Sequence, residues 1–562
     1  MLFAAITSAL LFLAAESPQF VGGHFETIRL VHGSTPSGVS GSALAGLPDL
    51  DGDGIPEYVV GAPWESPQGR RLAGTARIYS GGSGIPLFIL EGESRFDRLG
   101  QSVASVGDLN GDGIGDLAVG APGDSASNPG HGVYIYSGAN GAELRNLRVP
   151  IAARISFGSS VAGVDDIDGD GVADLLVGAP SGTVPGGSDR SGYVNLYSGA
   201  TGNLLHTFVG EASSDFFGFA IAGISDVDGD GFGDVIIGAY GHNNYIGATY
   251  LYSGRTAALL HKWTIPSSTK YLGISVASIK DLDGDGIDDV LVGAPHSTGY
   301  YPRGAVLAFS GASGIPLYRW NGTQRYAEFA NFGVAVSSAG DVDQDGVEDI
   351  VIGASYSQTG AYRAGSVSLF SGATGWLMNE WDCEQEYASF GSAVARCGDL
   401  DQNGHDDIMV GAPRTDVGSS PDAGMVHILG FHPGLKASTN EISASLGSTV
   451  DLQFDFPDQA AFLDYKTLIS VTGTGPTTFG VPVPLIQDAY TKDSFLGVYP
   501  FPQHSALQGI LGWVGTAQGR FSTPPGLPSV LVGRSFYLAT IALAAGDEAS
   551  YSSVAVKMTV VP

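Results

Sequence analysis

The sequence predicts an all-β chain: a seven-bladed β-propeller closed by the N-terminal strand, followed by a small C-terminal β-sandwich-like domain. Three observations carry this. The segment Asp166 to Pro180, DIDGDGVADLLVGAP, recurs seven times with small changes, and its first aspartates (Asp49, Asp108, Asp166, Asp226, Asp281, Asp341, Asp399) stand 55 to 60 residues apart. So regular a period marks one supersecondary unit repeated. Each unit holds four short runs punctuated by Gly, without helical periodicity. The seventh unit stops after its third run, and a lone strand without an Asp loop stands at the N-terminus.

Taken in order, the first fifteen residues, MLFAAITSALLFLAA, are apolar, end in small residues and are too short to span a bilayer. They read as a secretory signal (1–15), with a buried N-terminal strand as the alternative. A linker (16–23) leads into the propeller (24–432). His24 to Val31, HFETIRLV, resembles the last run of a repeat such as Pro86 to Glu91. The first strand of each repeat is rich in small residues, as in Ser102 to Val106, because seven innermost strands must converge on one axis. The second is the apolar run after the Asp loop, as in Leu175 to Val177, and the third ends in Tyr-Ser-Gly or Phe-Ser-Gly. The fourth is more polar, as in Asn203 to Val209. Borrowing the N-terminal strand to complete the seventh blade removes the exposed edges of an open array. A linear β-solenoid is disfavoured, since four strands in sixty residues is too much chain for one coil. Beyond Phe431 no Asp loop recurs. Runs at Val450 to Phe456, Ser535 to Leu543 and Ser553 to Val561 define a second all-β domain (433–562) with no readable chemistry.

Within each repeat a Gly lies eight residues before the first Asp (Gly41 and Gly100, for example) and another twelve after it (Gly61 and Gly120). No insertion falls between them in any copy. Outside that window the lengths drift. The loop is therefore scaffold, and recognition belongs to the variable connections at the other end of the blades.

The 562 residues carry 26 basic and 57 acidic side chains, a formal charge of -31, which argues against nucleic acid or an anionic membrane as partner. No later segment reaches eighteen apolar residues, so no membrane insertion is expected. Cys383 and Cys397 are the only cysteines. In an oxidising compartment they could pair, closing a loop of about fifteen residues for about 3 kcal/mol; otherwise they are inert thiols.

Positions one, three, five and nine of each loop carry carboxylates or amides, and position seven would offer its carbonyl. The candidate metal residues are Asp49, Asp51, Asp53, Ile55 and Glu57; Asp108, Asn110, Asp112, Ile114 and Asp116; Asp166, Asp168, Asp170, Val172 and Asp174; Asp226, Asp228, Asp230, Phe232 and Asp234; Asp281, Asp283, Asp285, Ile287 and Asp289; Asp341, Asp343, Asp345, Val347 and Asp349; Asp399, Asp401, Asn403, His405 and Asp407. An all-oxygen cage from alternate side chains of one tight turn suits Ca²⁺; Zn²⁺ wants His or Cys, and Mg²⁺ a smaller octahedral site. About seven Ca²⁺ are expected. An EF-hand would need Glu at position twelve and flanking helices, but position twelve is Val or Ile here, as at Val60 and Ile237.

The repeats resemble the FG-GAP family, whose best-known members are the N-terminal β-propellers of integrin α subunits. The naming residues stand at Phe157-Gly158, Phe217-Gly218, Phe332-Gly333 and Phe390-Gly391, with Gly-Ala-Pro at 61–63, 120–122, 178–180, 293–295 and 411–413. Phe gives way to Ser40, Leu99 and Leu272, and Gly-Ala-Pro to Gly-Ala-Tyr at 238–240 and Gly-Ala-Ser at 353–355. The resemblance implies a seven-bladed propeller with Ca²⁺ hairpins on its lower face and ligands on its upper face. Integrin members carry fewer metal loops and a membrane anchor, so pairing with a second subunit is not carried over; a soluble secreted bacterial relative fits.

No HExxH, GxSxG or phosphate-cradling loop is present. The sequence therefore reads as a secreted binding or adhesion module for an extracellular glycan or protein. A lyase-like polysaccharide enzyme and a purely structural matrix protein are the rivals. The upper connections hold Arg70, Arg71, Arg95, Arg98, Arg154, Arg190, Lys270, Arg303, Arg325, Arg363 and Arg414, with Trp64, Tyr245, Tyr300, Tyr301, Tyr326, Tyr356 and Tyr362. Arg and aromatic side chains together suit sugar stacking or a protein hot spot, although wet loops carry charges in any case.

Overall fold

The structure, a computed structural model, describes residues 24–432 except 124–131, 150–155, 185–187, 266–268, 298–303 and 323–329. Beyond 432 it describes the backbone of twelve strands between 435 and 561. The signal and linker expected over 1–23 lie outside the described residues, as do Arg154, Tyr300, Tyr301, Arg303, Arg325 and Tyr326.

Seven four-stranded antiparallel sheets form the blades, each a simple meander in the first six. Blade one is Ala43–Leu47, Glu57–Ala62, Thr75–Tyr79 and Pro86–Glu91. Blade seven is Ala393–Gly398, Asp407–Ala412 and Met425–His432, with His24–His32 as its outermost strand. There His24 pairs with His432 and His32 with Met425, so the propeller is closed by its N-terminal strand. The second strand of every blade is buried at all six positions, as in Asp174–Ala179 and Asp289–Ala294. Covered on both faces, it reads as a continuous apolar run rather than an alternation. Two short turns, Pro67–Gly69 and His242–Tyr245, are the only helical elements among the described residues.

Backbone contact explains the gapless window. In blades one to five and seven the N–H of the earlier Gly donates to the carbonyl of the later one, as in Gly100 to Gly120 (3.1 Å) and Gly41 to Gly61 (3.0 Å). The later Gly also faces the next blade. A Cβ added at Gly61, Gly120, Gly178, Gly238, Gly293, Gly353 or Gly411 would stand 2.0 to 2.4 Å from the carbonyl oxygen of Gly100, Gly158, Gly218, Gly273, Gly333, Gly391 or Gly41, respectively. The last contact closes the ring. Small residues in the innermost strands have the same cause: a Cβ at Gly163 or Gly223 would meet the neighbouring first strand at 2.6 and 2.5 Å.

A second set of contacts joins the blades near their rim. Arg29 donates to the Gly81 carbonyl (2.6 Å), Arg145 to those of Gly199 (2.7 Å) and Ala200 (2.8 Å), and Tyr318 to that of Ala373 (3.3 Å). His206 and His261 bond the carbonyls of Arg255 (3.0 Å) and Ala312 (3.2 Å). Each side chain leaves an outermost strand and caps the turn between strands three and four of the next blade.

The cysteines do not pair. Cys397 is buried in the innermost strand of blade seven, its thiol against the Asp407 carbonyl (3.3 Å), whereas the half-buried Cys383 follows the outermost strand of blade six. The chain crosses from the rim of one blade to the axis of the next between them, which a sequence separation of fourteen hides.

Gly23–Gly375 with Asn379–Pro433 forms one compact unit, and Gly434–Pro562 falls in a second. The latter holds two larger sheets. Leu435–Ala437, Ser448–Asp455, Thr516–Thr523 and Gln503–Ser505 form one; the other runs Glu441–Ser443, Val556–Val561, Ser535–Leu543, Asp464–Ser470 and Gln508–Ile510, with Ala549–Ser552 beside Ser535–Leu543. The run expected over 553–561 is the strand Val556–Val561, and a further strand, Ala549–Ser552, precedes it.

Candidate metal loops and the opposite face

Each Asp loop is tied by its own backbone. The first carboxylate accepts N–H groups from positions four, five and six: Asp166 takes Gly169 (2.7 Å), Asp170 (3.2 Å) and Gly171 (2.7 Å). Position three accepts from position five, and position five from position seven, as in Asp168 to Asp170 N (3.2 Å) and Asp170 to Val172 N (2.9 Å). Such a weave needs φ above zero at positions four and six. Gly54 and Gly171 stand at +84° and +86°, and Gln344 and Gln402 hold +58° at position four. A Cβ on Gly54 would meet nothing within 4 Å, so conformation rather than space selects Gly there.

The position-two aliphatics anchor the loop from below: Leu50, Ile167, Val342 and Leu400 are buried. The position-nine carboxylates, Glu57, Asp116, Asp174, Asp234, Asp289, Asp349 and Asp407, are fully buried as well. One oxygen of each accepts the position-two N–H, from 2.7 Å at Asp289 to 2.9 Å at Asp116, with Glu57 accepting from Leu50. In blades two to six the other oxygen takes the N–H of Gly138, Gly199, Gly254, Gly311 or Gly372, at 2.9 to 3.1 Å. In blade seven the third strand runs on to pair with the N-terminal strand instead of turning, and Asp407 Oδ1 is buried with no hydrogen-bond partner among the described residues.

The structure brings carboxylate oxygens to within 4.8 Å of one another in the sets Asp49-Asp51-Asp53-Glu57, Asp166-Asp168-Asp174, Asp226-Asp228-Asp230, Asp281-Asp283-Asp285 and Asp341-Asp343-Asp349. Position nine joins these sets in blades one, three and six, whereas Asp234 and Asp289 stand outside theirs. Asn110 replaces a carboxylate in loop two and donates to Asp112 (2.9 Å); Asn403 in loop seven donates to Asp401 (3.0 Å) and to the Phe431 carbonyl (2.8 Å). The His405 ring turns away, its Nδ1 donating to the Val342 carbonyl (2.7 Å), so only its backbone remains for the loop.

Electrostatics divides each loop. Burial pushes the Asp108 and Asp281 carboxyls up, but the N–H groups of positions six and four, then five, outweigh it and hold both below the usual range. At position nine burial wins, aided by neighbouring carboxylates: Asp174 and Asp234 rise to about 6, Glu57 and Asp289 to about 7 and Asp407 to about 8. Asp349 is raised well above its ordinary value by burial and by Asp343. Sealed carboxylates facing carboxylates, and an orphaned Asp407 oxygen, fit a hard divalent cation, whose charge would reverse those shifts. All-oxygen donors fit Ca²⁺.

Strand polarity puts the strand-two-to-three loops and the blade-to-blade connections at the opposite end. They interlock: Tyr271 N donates to the Tyr245 carbonyl (2.9 Å), Arg98 N to that of Leu72 (3.1 Å), and Tyr387 N to that of Tyr362 (3.0 Å). Two residues before the Gly that starts each third strand, five blades hold a left-handed residue, and its identity varies: Leu72 (φ 51°), Arg190 (51°), Tyr245 (63°), Arg363 (51°) and Asp422 (48°). Of the expected upper residues, Arg70 is tied to Glu91 (2.6 Å), Arg71 and Arg95 lie over Phe96, and Arg363 lies over Tyr356 and Tyr362. Trp64 and Tyr362 are exposed. Sequence reasoning missed Phe216, Phe219, Tyr240, Tyr271 and His296, which come together only through neighbouring blades, and Tyr387, which meets Tyr362 edge-on elsewhere on the face.

Fold and loops define a class: a seven-bladed repeat propeller with acidic metal-type hairpins at one end. Six segments, 99–136, 157–197, 217–252, 272–309, 332–370 and 390–429, match the FG-GAP repeat profile. The propeller is an FG-GAP repeat propeller of the integrin α kind. Integrin alpha-V of Gallus gallus is 32% identical over 235 residues, covering 39% of this chain and 22% of that protein. Integrin alpha-5 of Xenopus laevis is 29% identical over 266 residues, covering 42% and 25%. The chain thus spans a quarter or less of the length of these relatives. Among solved structures, Kuenenia stuttgartiensis hydrazine synthase superposes with a TM-score of 0.42 at 10% identity, covering 68% of this chain and 96% of that one. Among the described residues no helix is long and apolar enough to cross a membrane.

Proposed function

We propose that the chain is a secreted, calcium-stabilised adhesion module: residues 1–15 direct export, the propeller (24–432) carries Ca²⁺ in its seven lower loops, and its upper face engages an extracellular glycan or protein. The C-terminal domain (433–562) is a separate β unit. The observation that carries this reading is the division between the two ends of the blades. At one end seven nearly identical carboxylate loops repeat the same hydrogen bonds; at the other, equivalent positions hold a Leu, two Arg, a Tyr and an Asp. Repetition serves assembly, and variation on a rigid frame serves recognition.

Metal analysis of the full chain after dialysis against micromolar Ca²⁺ should find about seven ions; two or fewer at millimolar Ca²⁺ would refute the loading. Immobilised extracellular glycans and matrix proteins, screened against the full chain with and without EGTA, should yield a Ca²⁺-dependent ligand whose binding falls on substitution of exposed upper-face residues such as Trp64 or Tyr362.

A further inference from the structure

Among the described residues, an extended aromatic assembly on the upper face lies over blades four and five. Phe216 stacks on Tyr240 (5.0 Å between ring centroids), Phe219 meets Tyr240 edge-on (4.7 Å), and Tyr271 lies 5.9 Å from Tyr240 and 5.7 Å from Tyr245. The His296 imidazole abuts Tyr271 at 4.8 Å. These rings come from four successive connections and are not core: Phe219 is 41% and Tyr245 39% exposed, and the other four are partly open. The turn that carries Tyr245 is strained, since Asn243, Asn244 and Tyr245 hold φ of 49°, 60° and 63° in succession. Three non-Gly residues in that region persist only where their surroundings dictate it. Here His242, at the start of the turn, is held by the buried Asp215 (3.2 Å), and the Tyr245 carbonyl by Tyr271 N.

We propose that this surface is a glycan-binding platform, on which pyranose rings stack against the exposed faces of Phe219 and Tyr245 while the amides of Asn243 and Asn244 hydrogen-bond their hydroxyls. The proposal rests on the reading of the upper face as the ligand face and names the ligand class. A pyranose has an apolar C–H face and a hydroxyl-bearing edge. The platform offers the matching pair, aromatic faces bordered by Tyr hydroxyls, an imidazole and two exposed amides. A protein hot spot would instead close on an apolar centre shielded from water. The charge pattern agrees. The nearby acids are engaged internally, Asp215 by His242 and Glu211 by Lys262 (2.7 and 2.8 Å), so a chain of net charge -31 presents no free carboxylate from these two residues. Lys270, on the two-residue strand paired with His296 and Ser297, adds a donor at the edge.

The test uses the full chain in millimolar Ca²⁺ with laminarin, xylan, galactan and chitohexaose as probes, by affinity electrophoresis and calorimetry. At least one probe should bind, Tyr245→Ala and Phe219→Ala should each weaken it by about tenfold or more, and Tyr245→Phe, which keeps the ring, should restore it to within about threefold. Ile89→Ala, an exposed position on the outermost strand of blade one, should bind as wild type, and melting curves will establish that the variants fold. Failure of all probes, or binding indifferent to Tyr245 and Phe219, overturns the platform. If a ligand from the wider screen then responds to Trp64 or Tyr362, the upper-face reading survives and only the glycan platform falls. If no upper-face substitution affects any ligand, both fall.

Discussion

The two ends of the blades are built by the same chain under opposite rules. At the lower end each loop repeats one weave, with the first carboxylate accepting backbone N–H groups and the ninth sealed beneath. At the upper end the equivalent left-handed position holds Leu72, Arg190, Tyr245, Arg363 or Asp422. The difference teaches where the constraint lies. The lower weave gathers carboxylates that repel one another unless a cation intervenes, so its every atom matters to folding. The upper connections need only preserve backbone bonds such as Tyr271 N to Tyr245 O, and leave the side chain free to vary.

The sharpest way to break that contrast is to withdraw the Ca²⁺ proposed for the lower loops. A site filled at a hundred times its dissociation constant adds about 2.7 kcal/mol, if sites are independent and the unfolded chain binds none. Calorimetry in EGTA should show the propeller transition falling by tens of degrees relative to millimolar Ca²⁺. An unchanged melt would mean the lower rim is held by its backbone weave alone.

The next effect separates two uses of Gly. Gly353→Ala puts a Cβ 2.0 Å from the Gly391 carbonyl oxygen, between two blades with no room to yield, and should cost about 3 kcal/mol or more. Gly54→Ala meets open space and has only its +84° φ to resolve, about 1 kcal/mol. Denaturant midpoints of the two variants test this; equal losses would refute the distinction.

The same contrast explains what was legible in the sequence. Seven blades, ring closure by His24–His32 and the clustered carboxylates of the Asp loops follow from local spacing, because a gapless window is a covalent statement of a fixed geometry. The rim contacts were not legible: Arg29, Arg145, His206, His261 and Tyr318 occupy like places with three different side chains, and each reaches a turn roughly fifty residues away in sequence, so no motif records them. The aromatic platform was hidden for the same reason, being shared by two blades. Cys383 and Cys397 misled because nearness in sequence here spans the radius of the propeller.

Protonation probes the lower rim more gently. In the metal-free protein Asp174, Asp234, Glu57, Asp289 and Asp407 have folded-state values of about 6 to 8, above the value of about 4 expected when unfolded. A raised carboxyl favours the folded state while protonated, so that stability is present below about pH 4 and is lost as pH rises through 6 to 8. The melting temperature in EGTA should therefore fall from pH 5 to pH 8. Ca²⁺ needs the carboxylates ionised, so its stabilisation should grow over the same range. Parallel curves with and without Ca²⁺ would show that the buried carboxyls do not face the ions.

The smallest effect is expected at the upper rim, and its smallness is informative. Arg190 holds φ of 51° with an exposed side chain, a conformation that Gly adopts without penalty. Arg190→Gly relieves about 1 kcal/mol of backbone strain but gives the unfolded chain about as much extra freedom. The two should nearly cancel, leaving the denaturant midpoint within about 0.5 kcal/mol of wild type. A loss of several kcal/mol would show that the guanidinium holds the frame as the Asp loops do. A neutral result means that folding does not demand an arginine there, and that the side chain is kept in a strained backbone for what it meets outside the molecule.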